Sequence, residues 1–188
     1  MNLEDIASAI KNCKKCGLSK TRLNTVPGSG SQKAQIMLVG EAPGREEDKT
    51  GVPFVGSAGK VLDRLLAGAG LSRKDVFITN VLKCRPPANR DPEESEVLAC
   101  SQYLDLQIER LNPKIIVGLG RFASSYLLEK YGFGKQGITN AHGKVFRKST
   151  LNGEIAIVPM FHPAAALYDQ DKLPVMLEDF KSVSRLLG

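Results

Sequence analysis

The sequence predicts an α/β fold, a three-layer α/β/α sandwich around a central, mainly parallel four-stranded sheet. Three observations lead there. Four short apolar runs, residues 35–39, 76–79, 114–117 and 154–158, have the length and Ile/Val content of buried strands. Segments with apolar residues at helical spacing separate them, and such alternation favours a parallel sheet covered by helices on both faces. The 188 residues contain no internal repeat and no linker, which suits one domain with a full core.

Taken in order, residues 3–12 read as a short amphipathic helix leading into the knuckle Cys13-Lys-Lys-Cys16. Residues 25–33 are rich in Gly and Ser and read as a loop. The first strand runs into Gly40-Glu-Ala-Pro-Gly44. Between residues 56 and 70, Val61, Leu62, Leu65 and Leu66 recur at helical spacing. The second strand runs into Asn80 and Cys84. Residues 93–111 form a long helix carrying Cys100, with Asp91-Pro92 as its cap and first-turn proline. The third strand leads to a helix ending near Tyr131. Residues 132–143 are glycine-rich and read as a loop, and Val145-Phe146 starts a short extension. The fourth strand runs into Met160-Phe-His162-Pro163, and residues 173–187 form a closing helix.

Composition narrows the class. Hydrophobic residues make up 42% and charged residues 24%, ordinary for a soluble globular protein. No apolar run approaches a membrane span, and the start, Met1-Asn-Leu-Glu-Asp5, lacks the basic and apolar regions of a secretory leader. The expected location is cytoplasmic. A net charge of +6 is compatible with a polyanionic partner. Lys11, Lys14, Lys15, Lys20 and Arg22, then Lys83, Arg85 and Arg90, gather around the cysteines in sequence. On charge alone they also fit a solvated basic face.

The chain has four cysteines, Cys13, Cys16, Cys84 and Cys100. Four thiolates are the ligand set of one tetrahedral zinc or one cubane iron–sulfur cluster. In a cytosolic setting metal is favoured over two disulfides. Such a site would dock the N-terminal knuckle, about residues 10–20, onto the middle of a single domain spanning 1–188.

The unusual residues follow strands: Glu41 after the first, Asn80 after the second, His162 after the fourth. In open parallel sheets the carboxyl ends of the strands share one edge, where ligands bind. Pro53-Phe54-Val55-Gly56 places a ring just before a helix whose start, at Ser57, could meet a phosphate. Together they supply a carboxylate, an aromatic ring, an amide and an imidazole, parts for holding a planar heterocycle and breaking a bond to it. Gly118-Leu-Gly120-Arg-Phe-Ala123 matches a dinucleotide-binding fingerprint. The acidic residue expected some twenty positions later is missing, so the segment reads as a tight strand–helix turn.

Several motifs carry a resemblance to a known family: Gly40-Glu-Ala-Pro-Gly44, Gly51-Val-Pro-Phe-Val-Gly-Ser-Ala-Gly59, Ile78-Thr-Asn-Val-Leu-Lys-Cys-Arg-Pro-Pro87 and Phe161-His-Pro-Ala-Ala165. Nearly the whole chain resembles the uracil-DNA glycosylase superfamily, most closely family 4, the iron–sulfur type of thermophiles and archaea. The resemblance implies a prokaryotic, DNA-associated repair enzyme that flips uracil out of DNA and hydrolyses its N-glycosidic bond. It also implies a structural 4Fe–4S cluster on Cys13, Cys16, Cys84 and Cys100, and no dissociable cofactor. Gly40, Glu41, Phe54, Asn80 and His162 would form the uracil pocket. Phe54 would stack on the base, Asn80 read its polar edge, and His162 meet charge on the departing base. Glu41 would steady the sugar cation and orient the attacking water.

Ser57, Gly59 and Arg85 would contact DNA, and the wedge into the base stack falls on Ala166 or Leu167. The expected partner is uracil-containing DNA, single- or double-stranded, met by a monomer that does not engage membranes. His142 reads as structural or as a phosphate contact. The stretch Arg85-Pro-Pro-Ala-Asn-Arg-Asp91 holds no histidine, which argues against relatives that trap a covalent sugar intermediate. A non-catalytic nucleic-acid-binding relative with a structural iron–sulfur or zinc site is the alternative.

Overall fold

The structure, a computed structural model, describes residues 1–187. Its centre is a six-stranded sheet of β1 (Ser29–Gly30), β2 (Ile36–Gly40), β3 (Val76–Asn80), β4 (Ile115–Leu119), β5 (Phe146–Thr150) and β6 (Gly153–Met160), ordered β1-β3-β2-β4-β6-β5. The inner four, β3-β2-β4-β6, are parallel, and β1 and β5 join the edges antiparallel. The expected parallel four are thus present, but the sheet is wider by two strands. Both additions escaped the sequence for a physical reason. Strand β1 is two residues long inside the Gly/Ser-rich segment, and β5, beyond Phe146, is exposed and has no alternation to betray it.

Helices α1 (Leu3–Lys11), α2 (Arg45–Thr50), α3 (Ser57–Gly68), α4 (Glu94–Leu111), α5 (Arg121–Lys130), α6 (Ile138–Ala141), α7 (Ala165–Tyr168) and α8 (Lys172–Arg185) complete the chain. All five β2 residues are buried, because both faces of the sheet are covered. Ile36 and Leu38 pack in one core with Leu62, Leu65, Met176 and Phe180 of α3 and α8. Met37 and Val39 point the other way, into a core with Leu104 and Leu127 of α4 and α5. The period-2 alternation of β2 therefore serves two helical layers at once.

A third cluster lies beside this sandwich. Ile6 and Ile10 of α1 pack with Leu18, Leu82, Cys84, Cys100 and Tyr103. Helix α1 starts in a reciprocal capping box between Asn2 and Asp5. The start of α4 differs from expectation. Glu93 is its cap, exchanging hydrogen bonds with Glu96, while Arg90 grips the Glu96 carboxylate at 2.9 and 2.6 Å. Asp91 instead faces Arg121 at 3.3 Å. The glycine-rich 132–143 stretch also holds the single-turn helix α6.

Candidate active site

The strand ends do converge. The register sets Gly40 directly opposite Asn80, at the carboxyl ends of β2 and β3. Beyond them, Val81 donates to the Gly40 carbonyl at 2.9 Å and Leu82 to that of Glu41 at 3.0 Å. A cavity of about 350 Å³ opens there, walled by Glu41, Gly44, Phe54, Asn80, Asn89 and His162 among others. It is large enough for a single planar base.

Gly40 is glycine for a reason of space. A Cβ at this position would lie 2.3 Å from Asn80 Oδ1 and 2.8 Å from the Phe54 ring. Asn80 is buried, and its Oδ1 has no hydrogen-bond partner. A buried acceptor left unpaired costs about 1–3 kcal/mol, so a ligand carrying an N–H donor would recover that energy. Phe54 and His162 stack with ring centroids 5.6 Å apart and planes inclined by 30°.

His162 follows β6. Its Nδ1 accepts a hydrogen bond from the Ala164 amide at 3.1 Å, which places the proton of the neutral ring on Nε2. Burial, only partly offset by Glu47, lowers its pKa to about 4. The ring is therefore a neutral donor at physiological pH. Gly120, from the strand–helix turn after β4, passes so close that a Cβ there would sit 2.9 Å from His162 Cβ. The glycine pair that mimics a nucleotide fingerprint thus includes a residue that makes room for His162.

Glu41 is half-buried at the tip of β2. Burial raises its pKa first, the Asp91 carboxylate raises it further, and Arg121 pulls it back. Asp91, expected as a helix cap, and Arg121, inside the glycine fingerprint, were not expected at the site, because both lie far from Glu41 along the chain.

The remaining expected contacts fall unevenly. Ser57 is exposed at the first turn of α3. Gly59 is buried in that helix, where a Cβ would lie 1.8 Å from the Phe54 carbonyl oxygen, so its place is in packing. Arg85 is half-buried and donates from Nε to Asn89 Oδ1 at 2.7 Å. Of the two wedge positions, Ala166 is buried in the α3–α8 core, whereas Leu167 is 47% exposed, which makes Leu167 the one that can reach a partner. Tyr168, next to it, is 90% exposed. His142 pairs through Nδ1 with Asp179 Oδ2 at 2.8 Å and packs its ring on Phe161 at 4.4 Å, outside the cavity lining.

All four cysteines are free thiols lining one small cavity with Arg22, Lys83 and Tyr103, so the disulfide alternative is not formed. Among the described residues no three His, Cys, Asp or Glu side chains converge on a point as ligands of a single metal ion would. Arg22 Nη1 donates to Cys84 Sγ at 3.2 Å, and the Lys83 amide donates to Cys100 Sγ at 3.2 Å. Burial raises the Cys84 thiol pKa and pushes that of Cys100 up to about 11. A bound cation would have to displace those protons.

Lys83 does not belong to a basic surface as its sequence neighbours suggested. Its side chain is fully buried, and Nζ donates to Thr79 Oγ1 at 2.6 Å, the Asn80 carbonyl at 2.6 Å and Gln107 Oε1 at 2.8 Å. Desolvation brings its pKa down to about 7. Nothing in the composition signals this, since a lysine beside an arginine-rich loop ordinarily faces water.

The family model described as the uracil DNA glycosylase superfamily matches residues 27–183. The chain is similar to a type-4 uracil-DNA glycosylase of Saccharolobus solfataricus, 51% identical across 100% of this chain and 87% of that one. It is similar to the type-4 enzyme of Archaeoglobus fulgidus, 46% identical over 100% and 94% of the two chains. Another type-4 enzyme, from Thermotoga maritima, is 40% identical over 98% and 94%.

Proposed function

This chain belongs to the uracil-DNA glycosylase superfamily, and we propose that it releases uracil from DNA by hydrolysing the N-glycosidic bond at the site described above. It is a DNA-repair hydrolase, and its substrate is DNA. The observation that carries the mechanism is the unpaired Asn80 Oδ1 in a cavity shared with two stacked rings and a carboxylate.

The damaged nucleotide leaves the helix and its base enters the cavity. Phe54 packs on the base plane. The Asn80 amide offers an acceptor to uracil N3–H and a donor to O4. As the C1′–N1 bond breaks, its electron pair moves onto the base, and His162 Nε2–H donates to O2 where that charge gathers. A neutral donor aimed at developing charge is an oxyanion device, worth about 3 kcal/mol. The Glu41 carboxylate steadies the cationic sugar and accepts a proton from the water that attacks C1′. Free uracil and an abasic site result. Ser57 and Leu167 face outward as DNA contacts beside the half-buried Arg85, with Leu167 filling the gap in the base stack.

Cys13, Cys16, Cys84 and Cys100 would hold a 4Fe–4S cluster. Four thiols spread around a cavity, two of them receiving N–H hydrogen bonds, fit a polynuclear centre better than a single ion. When bound, the cluster supplies cross-links between the N-terminal knuckle, the segment after β3 and α4. No helix among the described residues is long and apolar enough to cross a membrane. We place the enzyme in the cytoplasm, acting on DNA as a monomer.

The test is release of free base from a uracil-containing oligonucleotide, followed by alkaline strand cleavage. Wild type should cut at uracil, and Glu41→Gln should lose at least about a hundredfold in turnover while remaining folded. No cleavage in any uracil context would end this reading.

A further inference from the structure

Phe54 has φ of +53°. For a bulky side chain this left-handed region is a true outlier, and such strain persists only where the surroundings over-determine it. Two charged side chains do so from opposite directions. Arg73, in the turn between α3 and β3, donates through Nη1 to the Pro53 carbonyl at 3.0 Å and through Nη2 to the Phe54 carbonyl. Its Nε is held by Asp63 of α3 at 2.6 Å. Glu47, from α2, accepts with Oε1 from the amides of Val55 and Gly56, both at 2.9 Å. A guanidinium thus takes two consecutive carbonyls of the turn, and a carboxylate takes the next two amides. Gly59 lets the Phe54 carbonyl settle against α3.

We propose that Arg73, braced by Asp63, is a positioning residue that fixes the plane of the Phe54 ring and so controls base stacking. The proposal rests on the uracil-pocket reading above. Arg73 does not line the cavity, so it touches neither base nor sugar and acts only through Phe54. Without it, the two carbonyls lose their shared donor, the Phe54 backbone can relax to negative φ, and the ring swings away from His162. Lysine cannot replace it, since a point charge cannot span two carbonyls and a carboxylate as the planar fork does.

A double-mutant cycle tests this. Arg73→Met, Phe54→Ala and the pair are compared for kcat and KM of uracil release, with the thermal midpoint of each. Arg73→Met should lower kcat/KM by roughly tenfold or more, and in the Phe54→Ala background it should cost nothing further. Arg73→Lys should restore only part of the loss. Should Arg73→Met fail to fold, Asp63→Asn carries the same cycle with a smaller effect, again expected only while Phe54 is present. Losses that multiply, or a lowered thermal midpoint with uracil release unchanged, overturn the clamp. Wild type that releases no uracil overturns the site reading, and the clamp with it.

Discussion

Phe54 and His162, separated by more than a hundred positions in the sequence, stack ring on ring at 5.6 Å. One ring arrives on a strained turn after β2, the other on the extension of β6. The pair joins the surface that would hold a base to the donor that would help it leave.

His162 makes folding stability depend on pH. Its pKa is about 4 in the native protein against an ordinary value near 6.5, so between those values the unfolded chain binds a proton that the native one refuses. Stability is complete above pH 6.5 and falls as the pH drops towards 4. Urea unfolding at pH 7 and pH 5 should show wild type losing roughly 2 kcal/mol more than His162→Gln, whose side chain does not titrate. Equal losses would place the ring in water.

Glu41 should set the acid limb of activity. On the proposed mechanism it must be ionised to assist water, and burial together with Asp91 raises its pKa, so as the pH falls activity should fade at a higher pH than a free glutamate would set. Asp91→Asn removes a like charge and should move that limb to lower pH. Arg121→Gln removes the opposing charge and should move it higher. A kcat profile of the three proteins checks the two directions, and unmoved limbs would detach Glu41 from the rate.

Gly40→Ala probes the crowding under the base. The added methyl would meet Asn80 Oδ1 and the Phe54 ring together. The backbone there needs no positive φ, so the fold should survive. Uracil release should fall by about a hundredfold or more, as displaced positioning groups do, with a nearly native circular-dichroism spectrum. Wild-type turnover would mean that the two groups part without consequence.

Cys84→Ala should lose iron, measured by metal analysis and by visible absorbance, and should lower the thermal midpoint. Chelation of the wild type should act in the same direction. The Lys83 amide already hydrogen-bonds Cys100, and its ammonium holds the Asn80 carbonyl. Uracil release should therefore weaken in the variant even below its melting temperature. A variant that kept stability and full turnover without metal would reduce the four cysteines to ordinary core residues.

The four inner strands were legible because each is buried on both faces and so reads as a continuous apolar run. The edges were not, because β5 is mostly exposed and β1 is too short for any pattern. Glu41, Asn80 and His162 could be located from the rule that ligands gather where parallel strands end, and Gly40 from the motif beside them. Arg73, Glu47 and Lys83 could not. Each is a charged residue, ordinary in isolation, whose meaning lies in backbone carbonyls or amides that only the folded turn presents. The cap of α4 was displaced from Asp91 to Glu93 because Glu96 reaches back to close the box, a reciprocity that a single residue type does not announce.

The outer strands carry one more consequence. A parallel sheet left with bare sides would offer rows of free amides and carbonyls to any passing strand. Here one flank ends in a two-residue strand, and the other in β5, where Arg147 and Lys148 stand exposed. Arg147 is held by Glu154 at 2.6 Å, so Lys148 is the exposed charge left on that flank, and a charge on an edge strand discourages the addition of another strand. In an enzyme whose substrate is DNA, the parallel core of the sheet thus keeps its pairing groups largely engaged within its own chain.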